Sequence, residues 1–479
     1  MNELIPKISI SVNDTIRKAM QVIDQGELGF ALIIETETKV FKGVITDGDV
    51  RRALIKGYGL ETSISSISRP ESVTARIGTP ISEVSRLFSD IVRIIPLLDD
   101  NNRVVDLAIF DKRFHLSVAE PTLTDKELQY VTECVLTGWV SSAGEFVSRF
   151  EKIFSDYCGI KHAVATSSGT AALHLALVAC NIGPGDEVIV PSLTFIATAN
   201  AVSYTGAKPV FVDIESETWN IDPECIETAI TSKTKAIIPV HLYGHPANMQ
   251  SILEIANRFG LLVIEDAAEA HGAMCRGGKV GTFGNIGIFS FYGNKIVTTG
   301  EGGMVVTNDD ELAEKIRILC NHGMDKDRRY WHQVLGYNYR LTNVQAALGV
   351  AQMEKIDEIL QKKCFIGRKY TEFLQNIPGL TLPVEKKWAK SVLWIYSILV
   401  DEKKFGITRD KLMEKLSDHD IETRPFFYPL HTQPIYKTAQ KLAVAERVSS
   451  QGISLPSSVN LSVDDIKRVA ESIKAIADT

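Results

Sequence analysis

The sequence lacks a long apolar run, an excess of positive charge, paired cysteines and any cluster of metal-ligand residues, and each absence removes a class of protein. No stretch approaches the ~20 apolar residues of a membrane span. The opening MNELIPKISISVND has neither the basic start nor the unbroken apolar run of a secretory signal, so a cytoplasmic protein is expected. Lys and Arg number 52 against 59 Asp and Glu, a formal charge of −7. That balance speaks against a polyanion-coating surface and hence a nucleic-acid partner. It still leaves room for a local pocket holding one small phosphate ester. The seven cysteines, at 134, 158, 180, 225, 275, 320 and 364, are dispersed, odd in number and without a CxxC pair. They read as reduced, ordinary thiols. A metal-ligand spacing, a Walker loop and a nucleophile elbow are likewise missing, so no metal is expected.

What is present is a globular chain long enough for about three domains at ~150 residues each. The first 113 residues carry a weak internal repeat. GFALIIETETKVFKGVITDGD and RIIPLLDDNNRVVDLAIFDKR each read as strand, polar turn, strand. An amphipathic helix precedes each, carrying Ile16, Met20 and Ile23 in one and Ile81, Val84, Leu87 and Phe88 in the other. A Ser-rich linker between them ends at Arg69–Pro70. A cut near Phe114 separates two small α/β units sharing one core from everything that follows.

From about residue 119 short apolar runs alternate with helices. Strands are expected at 162–165, 187–190, 209–212, 236–240, 261–264 and 287–291, and helices at 171–179 and 248–259. The second helix sets Ile252, Ile255, Ala256 and Phe259 on one face. This alternation predicts a mostly parallel sheet covered on both faces. A long helix over 344–373 leaves that domain, and LWIYSILV with a helix at 409–418 begins a smaller α+β domain. The expected divisions are 1–113, 119–355 and 356–479.

Three elements fall where a parallel sheet places its ligands, at the strands' C-terminal ends. Ser168-Gly169-Thr170 opens a helix, where free N–H groups receive an anion, though a plain helix cap uses the same residues. Asp266 ends a buried strand; it either meets a cation or caps the AAEAHG turn behind it. Lys295, before a Gly-rich stretch, is a candidate for the lowered pKa of a carbonyl-binding amine, although most lysines are surface groups. Together, an anion cradle, a carboxylate and a lysine are what pyridoxal 5′-phosphate needs.

GWVSSAGEFV, HAVATSSGTAALHLAL, VIEDAAEAHGA, FSFYGNK, TTGEGGMVVT, GYNYRLTNVQAALG and RPFFYPLHTQP recur in order along residues 119–479. By these motifs the region resembles the DegT/DnrJ/EryC1/StrS family of nucleotide-sugar aminotransferases. The resemblance implies a fold-type I architecture with a large α/β domain and a small α+β domain. It also implies pyridoxal 5′-phosphate as cofactor and L-glutamate as amino donor. Lys295 would bind the cofactor and shuttle the proton, and Asp266 would pair with the pyridine nitrogen. Glu269 would lie near the ring hydroxyl and Phe195 on the ring face, while Ser168, Gly169, Thr170 and Ser290 would hold the phosphate. Asn338 would reach that phosphate from a neighbouring subunit, implying a homodimer with shared sites. Arg340, Tyr428 and His431 would stand on the substrate side, although core packing explains the aromatic and histidine positions as well. The motif wording is nearest to family members that aminate C4 of GDP-4-keto-6-deoxymannose, with UDP- or dTDP-linked keto sugars as alternatives. A non-catalytic sensor with the same fold is a further alternative, which the retained Lys295 opposes.

The first 113 residues resemble a CBS-domain pair. In GVITDGDVRRAL, Thr46 and Asp49 match the positions that would contact the ribose of an adenine nucleotide. The second half has neither residue at the matching place, so at most one nucleotide site is expected; a purely structural module fits equally well.

Overall fold

The computed structural model describes residues 5–26, 29–67, 72–79, 83, 84, 87, 88, 92, 94–109 and 115–477. The chain divides into two compact units, Met1–His115 and Leu116–Thr479. Phe114, Arg69–Pro70 and Ile81 lie outside the described residues.

In the first unit the repeat is visible in the strand pairing. Ser9–Ser11 runs parallel to Phe30–Ile34, which turns back antiparallel into Phe41–Thr46. Ala75–Arg76, Ile94–Leu98 and Val104–Ile109 repeat that arrangement. Even the irregularity recurs, with a register shift between Ile33 and Ile34 and another between Leu97 and Leu98. Phe30 and Leu32 of the first hairpin pack with Ile94, Val104 and Leu107 of the second, so one core serves both. The helix Ile16–Gly26 buries Ile16, Ala19, Val22 and Ile23. Met20, expected on that face, is exposed, and Ala19 holds the buried place in the stripe instead. Leu87 is exposed too, while Val84 is buried.

The second unit is built on a seven-stranded sheet. Its spatial order is His162–Thr166, Gly303–Thr307, Ile286–Ser290, Leu262–Asp266, Thr234–Ile237, Glu187–Pro191 and Lys208–Val212. All but Gly303–Thr307 run the same way. That strand was hidden in the Gly-rich stretch after Lys295. Its antiparallel insertion brings Gly303 between Thr166 and Ser290 at the end of the sheet where the other strands finish. The central strands are buried on both faces, which is why they read as continuous apolar runs rather than alternating ones. The helix Gly169–Ala179 is buried nearly all round, matching its uniformly apolar sequence. In Met249–Phe259, Ile252, Ile255 and Ala256 face inward, but Phe259 is exposed beneath the Arg258 guanidinium.

The predicted long helix is two helices, Asn343–Met353 and Ile356–Leu374. The break falls where Glu354 is drawn to Lys126, Tyr130 and Arg149. Beyond it, a four-stranded antiparallel sheet has the order Leu380–Thr381, Ser397–Val400, Gly452–Ser454 and Arg424–Pro425. Ile366, Tyr370, Leu412, Ile466 and Ile473 from three helices pack with it into a second core.

Candidate active site

Ser290 and Asp266 finish adjacent parallel strands, and Thr166 finishes a strand of the same direction beyond the antiparallel Gly303–Thr307, so the turns after all three open at one end of the sheet. A cavity of about 500 Å³ lies there, and Ser168, Gly169, Thr170, Phe195, Asp266, Glu269, Ser290 and Lys295 all line it. Residues singled out from sequence thus converge from segments far apart in the chain.

Each arrives by a local rule. Ser168 caps the helix Gly169–Ala179, accepting the Ala171 N–H on its hydroxyl (3.1 Å). The intrahelical ladder begins with Ala172 N–H to Ser168 C=O (3.0 Å). The N–H groups of Gly169 and Thr170 precede it and face the cavity end of the helix dipole. Gly169 is glycine by necessity of space: a Cβ there would stand 2.8 Å from Ser290 Cβ. Gly303 obeys the same constraint, since its Cβ would lie 2.4 Å from the Ser168 carbonyl oxygen. The two glycines let the helix start, the strand tip and the antiparallel strand close into one shallow cradle.

Asp266 caps the turn behind it and meets a hydroxyl rather than a cation. Its Oδ1 caps the following turn by accepting the Ala268 N–H (3.2 Å), and its Oδ2 accepts the Thr198 hydroxyl (2.9 Å) at the cavity wall. Lys295 Nζ lies 3.5 Å from Glu269 Oε1, whose partner oxygen accepts the Tyr243 N–H (2.9 Å). The same ammonium sits 3.8 Å from the centre of the Trp394 ring. Burial raises the carboxyls of Asp266 and Glu269 above their ordinary range, and it lowers the Lys295 ammonium against the pull of both.

Other expected residues fall elsewhere. Asn338 is exposed and does not line the cavity of its own chain; nor does Arg340, which donates to Asn321 and leaves its buried Nε without a partner. Tyr428 is exposed, while its neighbour Phe427 is the one that lines the cavity. His431 is buried outside it, with Nδ1 at 2.6 Å from Ser192 Oγ and Nε2 at 3.1 Å from Glu446, so neither nitrogen is free for a substrate. In the first unit, Thr46 and Asp49 form a reciprocal capping box at the start of the helix Asp47–Ile55, and Asp49 also accepts from Arg52 (2.6 Å). Burial raises the Asp49 carboxyl, but the hydrogen bonds from Thr46 together with the Arg52 guanidinium hold it below its usual range.

Thr198, Tyr243, Trp394 and Arg424 also line the cavity, although the sequence did not single them out. Arg424 stands in the quoted motif RPFFYP, where a cation beside aromatics was the available signal.

The arrangement suits pyridoxal 5′-phosphate. The cradle that a Cβ would fill presents N–H donors and a hydroxyl to an anion. On the floor, two carboxyls confront one ammonium, and an additional cationic N–H against Asp266 would balance them. Among the described residues no group of His, Cys, Asp and Glu is arranged to hold a metal ion, and no helix is long and apolar enough to cross a membrane.

Comparison with known proteins gives matches of the same kind. Residues 121–474 match the DegT/DnrJ/EryC1/StrS aminotransferase family, and residues 2–56, the first hairpin and its helices, match the CBS domain. GDP-perosamine synthase of Caulobacter vibrioides is 50% identical over 364 residues, covering 75% of this chain and 98% of the relative. The GDP-perosamine synthase of Escherichia coli O157:H7 is 46% identical over 360 residues, with the same two coverages. The crystal structure of S. venezuelae DesV in complex with a ketimine intermediate superposes with a TM-score of 0.71 at 36% identity, covering 76% of this chain and 100% of that one.

Proposed function

Because this chain belongs to the DegT/DnrJ/EryC1/StrS aminotransferase family, we propose that it transfers the amino group of L-glutamate to C4 of GDP-4-keto-6-deoxymannose, giving GDP-perosamine and 2-oxoglutarate. The observation that carries this reading is the identity of 50% and 46% to two GDP-perosamine synthases over 98% of their length, joined to a cavity that gathers Gly169, Asp266, Ser290 and Lys295.

Pyridoxal 5′-phosphate is the family's cofactor, and when bound it supplies an electron sink for the carbon that carries the amino group. The chain's residues do the rest. The N–H groups of Gly169 and Thr170, with the hydroxyls of Ser168 and Ser290, hold the phosphate. Asp266, whose hydrogen bonds from Thr198 and the Ala268 N–H oppose the rise that burial imposes on its carboxyl, would pair with the ring nitrogen. Glu269 orients the ring hydroxyl and Phe195 covers one ring face. Lys295 Nζ, with its proton affinity lowered by burial, carries the proton to and from the reacting carbon. Asn338 serves the site of the partner in a homodimer, which agrees with its position away from its own cavity, and Arg340 stands on the substrate side. Tyr428 at the exposed rim meets the sugar nucleotide, and His431 remains a packing residue.

In this reading residues 1–113 are a CBS-pair module, 119–355 the cofactor domain and 356–479 the small domain of a cytoplasmic enzyme. An adenine nucleotide is the module's candidate ligand. Purified protein, supplied with cofactor, should show the cofactor's absorption band shift on adding L-glutamate, and the GDP-linked keto sugar should restore it. Restoration only by a UDP- or dTDP-linked sugar would overturn the substrate assignment. A band that never responds to any amino donor would overturn the enzyme reading.

A further inference from the structure

Lys363 is a deeply buried lysine whose charge the chemistry above does not use. It sits mid-way along the helix Ile356–Leu374 with 4% of its surface exposed. Its ammonium donates to two backbone carbonyls, Trp394 O (2.8 Å) and Ser457 O (2.6 Å). Among the described residues no carboxylate pairs with it, and burial alone pulls its ammonium down to about 7. An unpaired buried cation is costly, so something must be gained by placing one there.

The gain is legible in what the two carbonyls belong to. Ser457 accepts the Tyr396 N–H on its hydroxyl (2.8 Å), so Lys363 grips both sides of the junction that leads into the strand Ser397–Val400. Trp394 lies on that junction. Its indole N–H donates to the carbonyl of Asn294 (2.7 Å), the residue before Lys295, and its ring faces Lys295 Nζ. The ring also stacks against Tyr243 at 6.4 Å and 17°. Leu393, immediately before it, has φ +46°, and Tyr243 has φ +50°; both are uncommon for residues with a side chain, and such strain persists only where the surroundings hold it. A cation with several donors can satisfy two carbonyls converging on one point, whereas an apolar side chain would leave both buried and unpaired.

The geometry points to Lys363 as a positioning residue for the active-site lysine: by clamping the main chain at Trp394 it fixes the indole face that confronts Lys295 Nζ. Lys295 is thereby confined between Glu269 and the ring, with its amine directed at the cavity. This inference rests on the cofactor reading of the site but not on the identity of the donor or the sugar.

The test is a double-mutant cycle on the rate at which cofactor-free protein captures pyridoxal 5′-phosphate. In that condensation the Lys295 amine joins the aldehyde carbon and one water leaves, and absorbance follows it. Lys363→Met and Trp394→Phe should each slow capture about tenfold, and the double variant about tenfold rather than a hundredfold, because both act through one contact. The holoprotein's induced circular dichroism in the cofactor band should fall in step. If Lys363→Met does not fold, Lys363→Gln, which keeps two donors, takes its place in the same cycle. Capture at the wild-type rate with only a lower thermal midpoint would overturn the proposal, as would a hundredfold loss in the double variant. Absence of capture by the wild-type protein would instead remove the cofactor reading itself.

Discussion

Replacing Gly169 by alanine separates cofactor binding from folding. The added Cβ would stand 2.8 Å from Ser290 Cβ, 3.2 Å from its Oγ and 3.3 Å from its Cα. Carbon atoms rest at about 3.5–4.0 Å, so the helix start and the strand tip must part by about 1 Å. Overpacking of this kind costs about 1–3 kcal/mol, while alanine regains up to about 1 kcal/mol in helix propensity. The cofactor-free protein should therefore lose at most about 3 kcal/mol. The phosphate suffers more, since a shift of about 1 Å breaks a charge-assisted hydrogen bond worth about 1.5–3 kcal/mol, a roughly 10- to 150-fold weakening. Titration of cofactor-free protein with pyridoxal 5′-phosphate, alongside its thermal midpoint, reads both quantities. A dissociation constant within about twofold of wild type, with a lowered midpoint, would refute the cradle.

Three further outcomes follow from the same geometry. Thr198→Val removes the hydroxyl that opposes burial at Asp266, so that carboxyl rises further and the acidic limb of the kcat profile should move to higher pH; a profile superposable on wild type would contradict this. Glu127, bonded to Thr124, Gln352 and Lys355, is held at about 2 in the folded chain against an ordinary 4.5. Its folded value is depressed, so its contribution, about 3 kcal/mol, is full above pH 4.5 and is lost as pH falls towards 2. The urea-stability gap between wild type and Glu127→Gln should accordingly close on acidification, and a constant gap would refute the linkage. Arg424→Met should raise KM for the sugar nucleotide about tenfold with cofactor affinity unchanged, as expected of a charge-assisted bond to substrate; a loss confined to cofactor affinity would place Arg424 differently.

What could be read from the sequence was whatever a local pattern dictates. Continuous apolar runs gave the parallel strands, and the residues at their tips, Ser168 to Thr170 and Asp266, followed from the geometry of such sheets, whereas Ser290 came only through the family resemblance. The strand Gly303–Thr307 escaped because the run of glycines leading into it, Gly300, Gly302 and Gly303, reads as loop, whereas Gly302 and Gly303 serve close approach to neighbouring segments. The split at Glu354–Lys355 contains neither glycine nor proline; its cause is a cluster of partners from distant helices. Trp394 and Thr198 were silent for a similar reason. Each acts on a residue far along the chain, through a contact that no periodicity announces. His431 shows the converse, a histidine that looks chemical in its motif and is spent on Ser192 and Glu446.

The antiparallel strand also sets an order of assembly. His162–Thr166 is held in the sheet through Gly303–Thr307, so the edge on which the anion cradle is built cannot close while the chain is shorter than that strand. The first unit, by contrast, completes its hairpins and shared core without any residue of the second. During synthesis the first unit can mature early, while Ser168 and Gly169 wait for Gly303 to emerge before the binding surface exists. A chain interrupted before that strand would carry most of the cavity's residues and yet have no place for the phosphate.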